Sequence, residues 1–263
     1  PVFARDDLPS LYLDGCEARQ AAGASICEYG NPAGKITIAL VGDSHAAQYL
    51  PAFELLAREH GWRLIVLQRA ACLIHPVSIR FRSSGIPKYD CDRWKKEALA
   101  KLIETAPDFV VTSVAMPHIY NDFHVLASTE DMIAGHREIL QQLLARGIRV
   151  GVIRDNPRPV WYVPTCGIQN RYAPENCALS QAAILDPHTD ALYAAALAEG
   201  VTSLDLGKFF CSGGKCPAII GNILVYRDGD HLTGSYVKTL APYLDRWIQN
   251  NLNETRPPAP PDR

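Results

Sequence analysis

The chain has 263 residues, of which 48% are hydrophobic and 21% charged, and its formal net charge is -2. These values are typical of a folded globular protein, and they give no electrostatic basis for binding nucleic acid or an anionic membrane surface. No apolar run approaches the roughly 20 residues of a transmembrane helix.

The chain divides into three parts by composition. Residues 1–34, rich in Gly and Pro, are predicted to form a linker and a disulfide-stapled entry segment. Residues 35–250 are predicted to form one domain, which is large enough to be catalytic, and residues 251–263 are predicted to form a Pro-rich disordered tail. Because the start shows neither an initiator Met nor an apolar signal segment, we expect a processed protein or a piece of a longer one.

The domain begins with a buried strand that ends in a tight turn. Residues 36–41 are all apolar or β-branched, which suits a central strand covered on both faces. Gly42 permits a sharp turn, and Asp43 and Ser44 are good N-cap residues for a helix predicted over residues 46–59.

Strands and helices then alternate along the chain. Further strands are predicted at residues 62–68, 109–114, 149–153 and 201–206, and further helices at residues 92–105, 129–146, 186–199 and 233–250. Two long connections, residues 70–91 and 154–179, are predicted to be loops at the ligand-binding edge of the sheet. The alternation predicts one α/β domain of three layers, α/β/α, around a central parallel sheet.

Eight cysteines fall into four pairs that are close in sequence. None of them shows the Cys-x-x-Cys spacing of a zinc site, so we expect disulfides and an oxidising compartment, with buried thiols in a cytosolic enzyme as the alternative. Sequence alone does not prove the connectivity. Pairing of neighbours is the simplest assignment, and it gives Cys16–Cys27, Cys72–Cys91, Cys166–Cys177 and Cys211–Cys216.

Two stretches carry the residues of a nucleophilic site. Ser44 lies where a parallel strand ends and a helix begins, a position that stabilises anions. Asp228 and His231 are three residues apart before the last helix, so one turn can present both side chains in the same direction. Asp228 would then accept a hydrogen bond from Nδ1 of His231 and leave Nε2 for Ser44. The rival carboxylate, Asp230, adjoins His231 and is expected to point elsewhere.

The order and spacing of these motifs resemble those of the SGNH (GDSL-type) hydrolase superfamily, which has a flavodoxin-like fold. More closely, they resemble the SGNH domain fused to the C-terminus of membrane-bound acyltransferase-3 proteins. The residues that carry the resemblance are Gly42-Asp43-Ser44-His45, Tyr226-x-Asp228-x-x-His231-Leu232-Thr233 and a cysteine pair such as Cys211 and Cys216.

The resemblance implies a function. In that family the membrane domain passes an acetyl group, supplied ultimately by acetyl-CoA, across the bilayer. The SGNH domain takes the acetyl group on its serine and places it on a hydroxyl of an envelope polysaccharide, such as the lipopolysaccharide O-antigen. Ser44 is then the nucleophile, His231 the base and Asp228 the orienting acid. The domain would lie on the periplasmic or extracellular side, tethered to the inner membrane through an acyltransferase-3 domain of the same polypeptide. No cofactor or metal is implied.

The oxyanion hole departs from the family pattern. Most SGNH enzymes have a glycine after the second strand and a Gly-x-Asn-Asp stretch after the third, and neither is present in this sequence. The backbone N–H groups of Ser44 and of Ala71 or Cys72 are the candidate donors instead, with Asp43 supporting the nucleophile turn. Asn121-Asp122 lies further along the chain and is not aligned with the family motif.

Several side chains at the same edge are candidates for substrate contact. His45 either packs or binds substrate, and His118, His124 and Asn121 lie on a predicted ligand-edge loop. Arg154, with Asp155, either contacts sugar hydroxyls or forms a salt bridge.

The aromatic residues of the second long connection are Trp161, Tyr162 and Tyr172. They form either a sugar-stacking platform or ordinary loop packing. For the whole protein, two alternatives to transfer stay open: a secreted carbohydrate acetylesterase and a non-catalytic glycan-binding module.

Overall fold

The structure, a computed structural model, describes residues 3–76, 80–81, 88–115, 119–120, 128–159, 161–181 and 190–253. Its strands are β1 (Cys27–Gly30), β2 (Thr37–Gly42), β3 (Arg63–Gln68), β4 (Arg80–Phe81), β5 (Phe109–Ser113), β6 (Ile119–Tyr120), β7 (Val150–Ile153), β8 (Leu179–Ser180), β9 (Thr202–Leu204), β10 (Lys215–Cys216), β11 (Ile219–Ile220) and β12 (Ile223–Leu224). Its helices are α1 (Cys16–Ala22), α2 (Ser44–Ala47), α3 (Leu50–His60), α4 (Lys88–Thr105), α5 (Thr129–Leu144), α6 (Val163–Gln169), α7 (Ala191–Ala198), α8 (Gly207–Phe210), α9 (Gly234–Thr239) and α10 (Ala241–Asn253).

A six-stranded sheet in the order β1-β3-β2-β5-β7-β9 forms the centre of the fold. Strands β3, β2, β5, β7 and β9 run parallel, and β1 pairs antiparallel with β3 at one edge. The predicted α/β fold with a mostly parallel central sheet is confirmed. The carboxyl ends of the parallel strands therefore share one edge, where open α/β sheets bind ligands.

Side chains alternate between the two faces of the sheet and are buried on both. Ile38 and Leu40 of β2 pack on the face covered by α3 and α10, whereas Ala39 and Val41 pack on the face covered by α4, α5 and α7. Because both faces are covered, each central strand reads as a continuous apolar run, and the three predicted layers are present.

Residues 1–34, predicted to be irregular, differ in the structure. They contribute α1 and the edge strand β1, whose Cys27 pairs with Val66 of β3. A four-residue strand held by backbone hydrogen bonds needs no apolar run, so hydrophobic periodicity does not reveal it.

The helices also differ from the prediction. Helix α4 begins at Lys88, within the connection predicted to be a loop over residues 70–91. The helix after Ser44 is broken into α2 and α3 around Gln48 and Tyr49, and the closing helix is divided into α9 and α10 at Leu240. Helix α6 lies inside the connection predicted to be a loop, residues 154–179. Most of the predicted tail, residues 254–263, lies outside the described residues, as do residues 186–189 of the helix predicted to start at residue 186.

Four disulfides join the neighbouring cysteines, Cys16 to Cys27, Cys72 to Cys91, Cys166 to Cys177 and Cys211 to Cys216. Within the described residues, no helix combines the length and the apolar character that crossing a membrane requires.

Candidate active site

The turn after β2 is shaped by a glycine. Gly42 has a φ of 146°, and a Cβ atom at this position would lie 2.6 Å from the carbonyl oxygen of Ser113 and 2.9 Å from Cβ of Ala46. Only a glycine lets β2 approach β5 and α2 this closely. As a result, Ser44 becomes the first residue of α2, at the carboxyl edge of the sheet.

Asp43 supports this turn from within the core. Its Oδ1 accepts the backbone N–H of His45 at 2.9 Å, which caps α2, and its Oδ2 accepts the N–H of Ala115 at 3.0 Å. Burial raises the pKa of Asp43 to about 6, although the charge of His45 and the two N–H donors oppose the rise. These contacts join β2 to the chain that follows β5.

Ser44, His231 and Asp228 form one chain of hydrogen bonds. Oγ of Ser44 lies 2.8 Å from Nε2 of His231, and Nδ1 of His231 lies 2.9 Å from Oδ2 of Asp228. Oδ1 of Asp228 also accepts the backbone N–H groups of Asp230 and His231, each at 2.7 Å. Burial works against ionisation of Asp228, but its hydrogen bonds to His231 and the charge of that ring hold the pKa of Asp228 below its ordinary value. An ionised Asp228 fixes the tautomer that leaves Nε2 free to accept a proton from serine.

His45 is completely buried beside this chain, with 0% of its surface exposed. Its Nδ1 lies 2.5 Å from Oδ1 of Asp155, and its Nε2 lies 3.6 Å from Oδ1 of Asp230. Burial by itself would lower the pKa of His45, but the carboxylates of Asp155, Asp230 and Asp43 raise it to about 10. Full burial favours the packing alternative over substrate contact, and the ring of His45 lies 5.0 Å from the ring of His231.

The Asp230 carboxylate has partners other than those of Asp228, although it stays within 4.8 Å of a ring nitrogen of His231. Its Oδ1 accepts Nε of Arg158 at 2.5 Å. Burial opposes ionisation, but the nearby charges of His45 and Arg158 hold the pKa of Asp230 well below its ordinary value. No sequence pattern predicted this second network of charged groups, in which Asp190 also takes part by accepting the backbone N–H of Asp155 at 2.8 Å.

The candidate oxyanion donor Ala71 has an unusual backbone conformation. Its φ of 55° lies in the left-handed region, which is uncommon for residues other than glycine and is often found at functional sites. The N–H of Cys72 donates to the carbonyl of Arg69 at 3.1 Å, and the N–H of Arg69 donates to the carbonyl of Gly42 at 3.2 Å. The Ala71 turn is thus tied to the nucleophile turn, and Ala71 is a better candidate than Cys72 because the latter's N–H is already engaged.

The structure describes only some of the side chains that were predicted to contact substrate. Arg154 forms a salt bridge with Asp205 at 2.7 Å, the alternative given for it. His118, His124 and Asn121 lie outside the described residues.

The three aromatic residues considered as a sugar-stacking platform differ in their exposure and contacts. Trp161 is 40% exposed and Tyr172 is 85% exposed, whereas the Tyr162 hydroxyl accepts Nε of Arg5 at 2.5 Å. Trp161 borders the active-site loop, because a Cβ on Gly229 would lie 3.5 Å from the Trp161 carbonyl oxygen. Trp161 therefore remains available for stacking, the Tyr172 ring is covered by the Arg171 guanidinium 4.6 Å from its centroid, and Tyr162 is engaged within the protein.

One group of metal-ligand side chains occurs in the described part of the chain, formed by His45, Asp230 and His231. Nδ1 of His45 contacts Asp155, Asp230 pairs with Arg158, and His231 contacts Ser44 and Asp228. Nε2 of His45 is buried, makes no hydrogen bond to any of the described residues, and lies 3.6 Å from Oδ1 of Asp230. These residues form a charge network in which each carboxylate has a basic partner.

Comparisons with known proteins agree with this arrangement. The family model described as "SGNH domain (fused to AT3 domains)" matches residues 15–246. The fold is similar to the periplasmic domain of a lipopolysaccharide acetyltransferase from Salmonella ser. Paratyphi A, at 13% identity and a TM-score of 0.63, over 82% of this chain and 84% of that one. It is also similar to a GDSL-like lipase from Bacteroides thetaiotaomicron, at 14% identity and a TM-score of 0.50, over 91% of this chain and 97% of that one. No curated protein sequence matches the chain.

Proposed function

The chain belongs to the family of SGNH domains that are fused to AT3 domains, and from this we propose that it transfers an acetyl group, through an acyl-serine, to a hydroxyl of a cell-envelope polysaccharide. The observation that carries the proposal is the continuous hydrogen-bonded chain from Ser44 through His231 to Asp228. That arrangement is the one that activates a serine hydroxyl for attack on an acyl carbon.

The proposed reaction has two halves that use the same residues. In the first, Oγ of Ser44 attacks the acetyl carbonyl while Nε2 of His231 takes the hydroxyl proton. His231 then returns this proton to the leaving group as the bond to the donor breaks. In the second, His231 removes the proton of an acceptor hydroxyl, whose oxygen attacks the acetyl-Ser44 carbonyl. As the bond between the acyl carbon and Oγ of Ser44 breaks, His231 returns this proton to Oγ and the free serine is restored.

Charge develops on the acetyl oxygen in both halves. The N–H of Ser44, at the first position of α2, and the N–H of Ala71 are the proposed donors to this oxygen. Asp228 keeps the imidazolium of His231 stable while it holds the proton. No step requires a cofactor or a metal.

The family implies the partners and the setting that we propose. The acetyl donor is an AT3 domain in the same polypeptide, which draws ultimately on acetyl-CoA, and the chain works on the periplasmic or extracellular side while tethered to the inner membrane. The four disulfides support an oxidising location. Lipopolysaccharide is proposed as the acceptor class because of what the similar Salmonella protein is described as modifying.

The test measures where the acetyl group goes. The wild-type chain, Ser44→Ala and His231→Ala are incubated with p-nitrophenyl acetate, with and without O-antigen oligosaccharide, and nitrophenol, acetate and acetylated sugar are quantified. We expect the wild type to release nitrophenol and form acetylated sugar, and both variants to fall to background.

Two other results of this experiment would distinguish acetyl transfer from ester hydrolysis and from glycan binding. Turnover that yields only acetate, both with the oligosaccharide and with an AT3 donor domain supplied, would contradict transfer and indicate an esterase. Absence of nitrophenol release and of transfer in the presence of that donor domain would contradict catalysis and indicate a glycan-binding module.

A further inference from the structure

The loop that carries His231 is held by two buried amide side chains outside the Ser44–His231–Asp228 chain. Gln48 is 1% exposed and Asn156 is 3% exposed. Oε1 of Gln48 accepts the backbone N–H of Leu232 at 2.9 Å, and Nδ2 of Asn156 donates to the carbonyl of Asp230 at 3.2 Å. The two amides meet where Nε2 of Gln48 donates to Oδ1 of Asn156 at 2.7 Å.

The backbone partners set the orientation of both amides. Because the Leu232 N–H can only donate, it requires the oxygen of Gln48, and because the Asp230 carbonyl can only accept, it requires the NH₂ group of Asn156. The two inner atoms are then the nitrogen of Gln48 and the oxygen of Asn156, which complement each other. The hydrogen bonds therefore close a ring around the peptide groups immediately before and after His231.

This ring of hydrogen bonds fixes the position of the His231 loop relative to Ser44, which Asp228 cannot do. Asp228 lies on the same loop as His231, so their hydrogen bond moves with the loop and does not fix its position relative to Ser44. Gln48 follows Ser44 by one helical turn, and its backbone N–H donates to the Ser44 carbonyl at 3.0 Å. The amide pair thus connects the segment that presents the serine with the loop that presents the imidazole.

Other contacts also hold the loop. The Tyr226 hydroxyl donates to the Pro157 carbonyl at 2.7 Å, and Nε2 of His45 lies 3.6 Å from Oδ1 of Asp230, but neither contact involves a peptide group next to His231. The His231 carbonyl accepts the N–H of Arg227 at 2.9 Å, a hydrogen bond within the same loop. Arg158 pairs with Asp230, but both side chains are partly exposed, a setting in which ion pairs contribute little. Leu232 is fully buried and anchors the loop by apolar packing, which does not fix the rotation of its peptide group.

We propose that the buried amide pair Gln48–Asn156 is a positioning device that holds the backbone of His231 at hydrogen-bond distance from Ser44. The inference rests on the proposed function, because only a proton transfer between these two side chains requires such accuracy. A displacement of about 1 Å between reacting groups costs on the order of 10²-fold in rate.

Gln48→Met tests this proposal because it keeps the length of the side chain and removes both amide contacts. The matched control is Gln20→Met. Gln20 is equally buried, at 1% exposure, its Nε2 donates to the Val66 carbonyl at 2.8 Å, and its Oε1 accepts Nε1 of Trp94 at 3.1 Å. Nε2 of Gln20 also contacts Sγ of Cys27 at 3.8 Å. Both variants lose a buried, hydrogen-bonded amide, and only the Gln48 amide touches the His231 loop.

We expect kcat for p-nitrophenyl acetate to fall by about 10- to 100-fold in Gln48→Met with KM within about twofold of wild type. Labelling of Ser44 by a sulfonyl fluoride should slow by a similar factor. Gln20→Met should lower the Tm to a comparable extent and keep both rates. An activity loss in Gln48→Met no larger than that in Gln20→Met, or a loss carried by KM, would overturn the proposal.

Two further measurements keep the test decisive. If Gln48→Met lacks a cooperative unfolding transition, Gln48→Glu and Gln20→Glu replace the pair, because Gln48→Glu keeps an oxygen for the Leu232 N–H and replaces the NH₂ group that faces Oδ1 of Asn156 by a second carboxyl oxygen. Crystal structures of the folded variants give a readout that does not depend on activity. We expect the Ser44 Oγ to His231 Nε2 distance to exceed the hydrogen-bond limit of about 3.2 Å in the Gln48 variant only.

The two proposals can fail separately. A wild-type chain that neither releases acetyl groups nor labels at Ser44, with the distance still increased in the Gln48 variant, would refute the proposed function alone. An active wild type whose Gln48 variant keeps the wild-type distance would refute the positioning role alone.

Discussion

Asp228 and Asp230 lie two residues apart on one loop and have different partners. Asp228 contacts Nδ1 of His231, whereas Asp230 pairs with Arg158 and faces His45. An orienting carboxylate fixes the tautomer of the base, while a partly exposed ion pair contributes about 0–1 kcal/mol. The same substitution at Asp228 and at Asp230 should therefore have very different effects on kcat.

Asp228→Asn is expected to lower kcat for ester hydrolysis by on the order of 10⁴-fold, because the amide favours the wrong tautomer of His231. Asp230→Asn is the matched variant, and its effect on kcat should stay within about tenfold, since its contacts are made with Arg158 and His45. Steady-state kinetics of both variants checks this expectation. Comparable losses in the two would contradict the assignment of Asp228 as the orienting residue.

His45 makes the stability of the fold depend on pH. The folded-state pKa of about 10 exceeds the ordinary value of 6.5, because the surrounding carboxylates outweigh burial. The folded chain thus binds the His45 proton more tightly than the unfolded chain does. The resulting stabilisation is complete below the unfolded-state pKa and is lost as the pH rises through the folded-state value.

The free energy of unfolding in urea should fall between about pH 7 and about pH 9, by at most about 1.4 kcal/mol per pH unit from this one group. His45→Gln removes the group, and Asp155→Asn removes the carboxylate that raises its pKa. Both variants should show a shallower decline. A decline as steep as that of wild type in His45→Gln would show that other groups cause it.

At the scale of elements, the nucleophile turn depends on the close approach of β2 to β5 and α2. Gly42→Ala would place a methyl group 2.6 Å from a backbone oxygen, in a conformation that L-residues rarely adopt. We expect a loss of about 1–3 kcal/mol in stability from overpacking, together with a displaced Ser44 and reduced kcat.

Gly61→Ala is the control for that substitution. Gly61 also has a positive φ, of 65°, but a Cβ there would meet nothing within 4 Å. This variant carries the cost of the left-handed conformation, about 1–2 kcal/mol, without the clash. Urea unfolding and ester hydrolysis compare the two. Full activity in Gly42→Ala would contradict the close fit that we describe.

The Cys72–Cys91 disulfide bears on the proposed oxyanion donor, since Cys72 directly follows Ala71. Replacing both cysteines by serine should cost about 3 kcal/mol of stability and, by releasing the Ala71 turn, lower kcat by up to about 10²–10³-fold. The double replacement of Cys166 and Cys177 should cost similar stability and leave kcat near wild type. Equal effects on kcat would argue against Ala71 as an oxyanion donor.

Sequence patterns predicted the elements that are long and apolar and missed those held by polar or backbone contacts. The apolar runs of β2 and β3 predict the parallel sheet. The short spacing between Asp228 and His231 predicts that their two side chains point in the same direction. Strand β1 was missed because a short edge strand has no apolar signature.

The second charge network and the amide pair were missed for a different reason. Asp155 and Asn156 lie more than 100 residues from their partners His45 and Gln48, with sequence separations of 110 and 108. No local pattern identifies the partner of a polar side chain at that distance. The feature of the sequence that could have identified Asp155 and Asn156 is their position just after β7, at the carboxyl edge where open α/β sheets bind ligands.

At the scale of the whole molecule, three distant parts of the chain meet at one edge of the sheet. The turn after β2 supplies Ser44, the segment after β7 supplies Asp155 and Asn156, and the loop after β12 supplies Asp228 and His231. The parallel sheet brings these parts together because the carboxyl ends of its central strands share that edge. The proposed reaction therefore requires Ser44 to be the residue that carries the acetyl group.

Peptide mapping of the acyl-enzyme tests this claim most directly. The wild-type chain is mixed with p-nitrophenyl acetate, quenched in acid within milliseconds to seconds, digested and analysed by mass spectrometry. We predict one acetyl group on the peptide that contains Ser44, at that residue, and none on this peptide in Ser44→Ala or His231→Ala. Acetylation at another residue during turnover, or turnover that persists in Ser44→Ala, would contradict the account.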